Sequence, residues 1–168
     1  LCDWSSDVCS SDLPCRDIAS LQRNYSQMGE GILTALRSLG LDASFGAARG
    51  SYCEGPYDVV TGGQKIAGVA QAIRGGYALL SGMILVRQDP IATTQRLNQF
   101  YRASGKDADL KGEAVTNLCL ALDRDVTVDE VEEAVIQTWK QMYPTEQIPI
   151  QKHERLRAQQ LLSMRRLA

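Results

Sequence analysis

Residues 51–90 read SYCEGPYDVVTGGQKIAGVAQAIRGGYALLSGMILVRQDP. Three segments in this stretch have strand character, Tyr57–Thr61, Gln64–Arg74 and Tyr77–Arg87, and Gly62-Gly63 and Gly75-Gly76 stand between them. A glycine pair supplies the positive φ that both central positions of a two-residue hairpin turn require, so this spacing predicts a β-meander. The last segment is almost wholly apolar from Tyr77 to Val86. That composition predicts a strand lying centrally in the sheet and buried on both faces. Asp89-Pro90 then reads as an N-cap and first helical residue, opening a helix that runs near Tyr101 and ends at Gly105.

Upstream of the meander, Ile18, Leu21, Tyr25, Met28, Ile32, Leu36 and Leu39 recur at spacings of three and four, an amphipathic helix from Asp17 that Gly40 stops. A connection through Phe45 to Ser51 joins it to the first strand. Downstream the chain is helical in character: Val115–Leu122 is a short candidate, Thr127-Val-Asp-Glu130 is a capping box for a helix to about Met142, and Ile150 to the end is a third. An antiparallel sheet followed by helices is an α+β arrangement. Residues 1–13, LCDWSSDVCSSDL, repeat Ser-Ser-Asp within a few positions and resemble the conceptual translation of a tandem sequencing adapter. They are expected to be disordered and are set aside from the fold, which leaves residues 14–168 as one domain with a helical elaboration over about 127–168.

The chain has 168 residues, 44% hydrophobic and 23% charged, inside the range of a single globular domain. No apolar run approaches the ~18 residues that cross a bilayer, and no signal peptide opens the sequence, so the expected compartment is the cytoplasm with no membrane partner. A formal charge of −2 argues against nucleic acid. The arginines of the tail, Arg155, Arg157, Arg165 and Arg166, read as a solvated helix face. Cysteines at 2, 9, 15, 53 and 119 are odd in number and form no CxxC pair, so neither a zinc site nor a disulfide framework is expected.

Chemistry concentrates in residues 51–71. Cys53 sits in a loop, Asp58 at a strand start, and Lys65 beyond a glycine turn that folds its strand back beside the segment led by Cys53. A thiolate is a competent nucleophile, and a nearby ammonium can depress a thiol pKa from ~8.5 to ~3.5–7.5. From spacing alone the plainer readings are a buried structural thiol for Cys53, an exposed hairpin charge for Lys65 and a strand-starting backbone cap for Asp58. Cys119, among Leu118, Leu120 and Leu122, reads as a small core residue. His153, the single histidine, lies in a late charged helix, far in sequence from any nucleophile, so a histidine-based triad is not expected. Neither a GxxxxGK[ST] loop nor a GxGxxG loop is present, and Glu132-Glu133 read as surface charge.

Residues 51–90 also resemble the core signature of lipoate-protein ligases and octanoyl or lipoyl transferases, within the biotin/lipoate protein ligase catalytic-domain superfamily. In that family a glycine turn is followed by a (Gly)-x-Lys-(Ile/Leu)-x-Gly-x-(Ala/Ser)-Gln stretch, and Gly63, Lys65, Gly68 and Gln71 occupy those places. Leu97–Tyr101 and the Thr127–Trp139 helix resemble later parts of the same domain, so the match covers most of residues 17–160. The resemblance implies an α+β fold, an antiparallel or mixed sheet with packed helices, as part of such a catalytic domain.

The form Ser-Tyr-Cys-x-Gly-x-Tyr-Asp, with Cys53 twelve residues before Lys65, is similar to the octanoyl-transferring amidotransferase branch. There the resemblance implies an acyl-thioester on Cys53, with Lys65 lowering its pKa. The acyl group would pass to a lysine of a lipoyl-domain protein such as the glycine cleavage H protein or a 2-oxoacid dehydrogenase E2 subunit. Asp58, Gly63, Gly68, Gln71, Ser81 and Gly82 would line the substrate. No metal or cofactor is implied by that reading. The alternative is an ATP-dependent lipoate ligase, in which Lys65 stabilises an acyl-adenylate and ATP and magnesium are needed; a non-catalytic scaffold that binds lipoyl domains is a further alternative. Two departures stand out. Ser81 precedes Gly82 where the family often carries histidine, and the arginine and glycine-rich segment that closes over the acyl pocket should precede residue 14, so this fragment by itself is expected to be inactive.

Overall fold

The computed structural model describes residues 11–14, 21–74, 77–146 and 148–165. One antiparallel sheet of five strands carries the molecule, in the order β1 (Ser11–Pro14), β5 (Tyr77–Ile84), β4 (Gln64–Arg74), β3 (Asp58–Thr61), β2 (Ser44–Gly46). The meander β3–β4–β5 is the expected one, and Gly62 and Gly63, with φ of 55° and 80°, make its first turn. The second glycine pair lies outside the described residues, as do residues 1–10. Ser11–Leu13, part of the segment expected to be disordered, instead pair with β5 as an edge strand. The Phe45 connection likewise contains a strand: Ser44–Gly46 pairs with Val60–Asp58, and at three residues it is too short to leave an alternating pattern.

Helix α1 (Leu21–Ser38) lies across one face of this sheet, and its start at 17–20 falls outside the described residues. Met28, Leu33, Ala35 and Leu36 of its inner face are buried. Its C-terminus closes as expected at Gly40, where the amide of Leu41 donates to the Leu36 carbonyl at 3.2 Å and that of Gly40 to Arg37 at 3.0 Å. Helix α4 (Val128–Met142) packs against α1, and Gly31 makes the approach possible: a Cβ there would stand 2.9 Å from the Trp139 indole. Thr127 caps α4 by accepting from the Glu130 amide at 3.1 Å. The main core joins Leu33, Leu36 and Leu41 to Val59, Ile66 and Ala67 of the sheet and to Leu118, Val126 and Val131. Each such fully buried side chain contributes roughly 1.5–3 kcal/mol of transfer free energy.

Helix α2 (Pro90–Ala103) starts on the Asp89 cap, whose carboxylate accepts from the Ala92 amide at 3.0 Å. The expected Val115–Leu122 helix is shorter. A 3-10 turn at Gly112–Ala114 precedes α3 (Leu118–Ala121), because residues 115–117 run extended beside β4 instead. Helix α5 (Lys152–Arg165) leaves the body of the molecule, and Gln151 to Leu162 are exposed throughout.

The expectation for β5 needs correction. β4 is the central strand, β5 ends at Ile84, and only one face of β5 is covered: Ala78 and Leu80 pack under α1, whereas Met83 is 55% exposed. The apolar run reflects a strand with one packed face and one open one.

Candidate active site

Cross-strand partners share a face, so the register sorts the meander's side chains. Val59, Ala67, Val69, Gln71, Leu80 and Gly82 point toward α1; Val60, Lys65, Gly68, Ala70, Ser81 and Met83 point to the open side. In a regular strand Lys65 and Gly68 would lie on opposite faces. They share one because the pairing jumps from Val60–Lys65 to Val59–Ala67, leaving Ile66 as the extra residue of a β-bulge. Ile66 and Ala67 both enter the core at 0% exposure, and Lys65 is turned toward Gly68, where a Cβ would meet its Cε at 3.3 Å and its Nζ at 3.4 Å.

Lys65 is not the exposed hairpin charge of the plain reading. It is 2% exposed and bridges to Asp58 Oδ2 at 2.8 Å, both side chains being almost fully enclosed. Its Nζ also donates to the carbonyl oxygens of Tyr52 at 3.0 Å and Cys53 at 2.8 Å. An ammonium has three N–H donors, and these three acceptors take all of them. The Tyr52 ring lies 5.6 Å from the same nitrogen, a cation–π contact that completes the enclosure. Asp58 has a second task, accepting from the Gly55 amide at 2.9 Å while its own amide donates to the Gly55 carbonyl at 3.2 Å. The strand start thus ties down the loop in front of it.

That loop presents Cys53, which is exposed rather than buried and holds a φ of 49°, a left-handed conformation uncommon for any residue but glycine. The pair of carbonyls gathered by Lys65 fixes the backbone there. Lys65 therefore reaches Cys53 through its carbonyl, and its direct partner on the loop is backbone. Tyr52 packs on Leu85 and Val115, and the loop is tied to the 3-10 region by the Lys111 amide, which donates to Gly50 O at 2.9 Å. The backbone of Lys65 is held from the same side, its carbonyl accepting from the Thr116 amide at 2.9 Å. Burial, and then the neighbouring Cys53 charge, push the Tyr52 phenol above its ordinary value.

The expected site residues divide accordingly. Cys53, Asp58, Lys65 and Gly68 come together, with Ser81 on the same face one strand away. Gly63 sits at the hairpin tip with no neighbour within 4 Å of a Cβ position. Gln71 and Gly82 lie on the α1 face: a Cβ on Gly82 would meet Ile32 at 3.3 Å, and the Gln71 amide is enclosed without a hydrogen-bond partner. Tyr52 is the site residue that sequence reasoning missed. Its proximity to Cys53 in the sequence was the available signal. Among the described residues no group of three or more His, Cys, Asp or Glu side chains converges, and no helix is long and apolar enough to cross a membrane. Cys119 is half-buried and exchanges hydrogen bonds with the Val126 backbone through its sulfur, as suits a small structural residue.

The lipoyl protein ligase A/B catalytic domain model matches residues 10–140. An octanoyl-[GcvH]:protein N-octanoyltransferase of Kyrpidia tusciae is 30% identical over 118 residues, covering 64% of this chain and 41% of that protein. Among solved structures, a lipoate-protein ligase A bound with ATP superposes with a TM-score of 0.65 at 28% identity, covering 92% of this chain and 57% of its own. A bipartite lipoate protein ligase from Thermoplasma acidophilum, solved in a study with its E2 lipoyl domain, shares the fold at a TM-score of 0.60 and 23% identity, covering 92% of this chain and 56% of that one. The chain spans under half the length of the curated relatives it matches.

Proposed function

We propose, since this chain belongs to the lipoyl protein ligase A/B catalytic domain family, that it serves the transfer of an octanoyl or lipoyl group to a lysine of a lipoyl-domain protein through a thioester on Cys53. The observation that carries the reading is the pairing of an exposed thiol with a buried lysine that grips the carbonyl of the same residue. In the first half-reaction the Cys53 thiolate adds to the acyl carbonyl of a donor acyl-protein, the C–N bond breaks and the donor amine leaves with a proton. In the second, the amine of the acceptor lysine adds to the thioester, the C–S bond breaks, the thiolate is regenerated and the nitrogen gives up a proton, matching the one taken up by the donor amine. The names of the curated relatives support the H protein of glycine cleavage as donor, and E2 lipoyl domains fit as acceptors. A working free thiol fits a reducing compartment such as the cytoplasm.

An ATP-dependent ligase is the second reading, supported by the likeness to a ligase bound with ATP. In that reaction ATP, with its magnesium, activates the acyl carboxylate, and Lys65 would hold the adenylate. The arrangement favours the transferase, because no N–H of Lys65 is left to offer to a phosphate.

The test is incubation of the full gene product, without ATP, with octanoylated H protein and an unmodified lipoyl domain, followed by intact mass. A hydroxylamine-labile adduct on Cys53 that passes to the acceptor lysine, and is absent from Cys53→Ser, is the expected result. Lysine modification that requires lipoate and ATP and bypasses Cys53 would move the protein to the ligase class.

A further inference from the structure

A thioester beside a lysine is a hazard to the protein that carries it. The lone pair of a neutral Lys65 amine could add to an acyl carbonyl on Cys53 Sγ; the C–S bond would break, Cys53 would leave as thiolate, and the nitrogen would release a proton and end as an amide. That product would be permanent, and it would remove the cation that holds the loop. The Lys65 nitrogen stands 2.8 Å from the backbone carbonyl oxygen of Cys53, the residue that would bear the acyl group.

The geometry points to Asp58 as the residue that prevents this: we infer that its carboxylate keeps Lys65 an ammonium, so that the acyl group can leave Cys53 only for a lysine brought by the acceptor protein. This rests on the thioester reading above and adds a selectivity to it. Three observations support it. Asp58 is the one charged partner of Lys65 among the three acceptors, at 2.8 Å, the other two being backbone carbonyls. Both side chains of the pair are about 97% enclosed, so water cannot replace the carboxylate as the stabiliser of the charge. And with every N–H directed at an acceptor, the nitrogen has no free direction from which to attack. Removing the carboxylate leaves a buried cation without a counter-charge, and burial favours the neutral amine, the nucleophilic form. Asp58 is thus a positioning residue, acting on the reaction through Lys65.

The test uses p-nitrophenyl octanoate on the protein, because an active ester loads an exposed thiol whether or not carrier-to-carrier transfer occurs. Peptide mapping then compares Lys65 with Lys106, Lys111, Lys140 and Lys152, all on the exposed surface. In the wild type the expected result is a hydroxylamine-labile adduct on Cys53, amide on the surface lysines and none on Lys65. In Asp58→Asn, a hydroxylamine-stable octanoyl group should appear on Lys65 at no less than ten times the detection limit, and it should disappear from Asp58→Asn/Cys53→Ser, which shows that it came from the thioester. Should Asp58→Asn fail to fold, Asp58→Ser serves instead: it too removes the carboxylate while keeping a small polar side chain, and the same Lys65 adduct is expected. Cys53 loading without Lys65 modification in a folded variant overturns the inference, as does Lys65 acylation in the wild type at the rate of the surface lysines. Failure of transfer between carriers would instead count against the thioester reading alone.

Discussion

At Tyr52 the phenol is pushed above its ordinary value of 10.0, first by burial and then by the charge of Cys53. Above that pH an unfolded chain gives up the phenolic proton while the folded one retains it, so the folded state binds more protons and loses stability as pH rises. Thermal melts between pH 8 and 11 should therefore fall more steeply for the wild type than for Tyr52→Phe, with the two slopes alike below the ordinary tyrosine range. The Asp58–Lys65 pair gives a second expectation. Removing one partner of a buried pair costs about 3–5 kcal/mol, whereas replacing both by apolar groups of similar volume is often near neutral. In urea titrations Asp58→Asn should lower the midpoint strongly, and Asp58→Leu/Lys65→Met should recover most of the loss. Little of this pair was legible in the sequence. Lys65 reads as a surface charge because two of its three partners are backbone carbonyls, which carry no residue identity, and because the bulge that turns it toward Gly68 arises from the demand of both Ile66 and Ala67 for the core.

Among the elements, those with a local cause were readable. Glycine turns and apolar runs announced β3, β4 and β5; caps announced α2 at Asp89 and α4 at Thr127. Replacing Thr127 by alanine should destabilise the protein by about 1 kcal/mol, the usual worth of an N-cap, measured by urea unfolding. Elements with a distant cause were not readable. β2 exists because Phe45 must reach the core across from Val59, and the 115–117 segment is extended because Thr116 and Val115 find the edge of β4 at Lys65. The open face of β5 was misread for a related reason: an apolar strand gives the same pattern whether its second face is packed or awaits a partner, and Met83 shows that it is open.

For the molecule as a whole, the packed body ends near the last turn of α4, and α5 adds a helix whose described side chains bury nothing. A helix of 14 residues is marginal in water without tertiary support. Truncation after Ile150 should therefore leave Tm within about 2 °C of the full chain in a thermal melt. The contact between Gly31 and Trp139 offers something different. Trp139 is one of two tryptophans in the sequence, the other being Trp4, and its ring is pressed against α1 at Gly31 while stacking with Tyr143 at 5.1 Å. With Trp4 replaced by phenylalanine, the molecule carries a single indole at the seam between its two packed helices, and its emission spectrum becomes an optical gauge of whether that seam is closed.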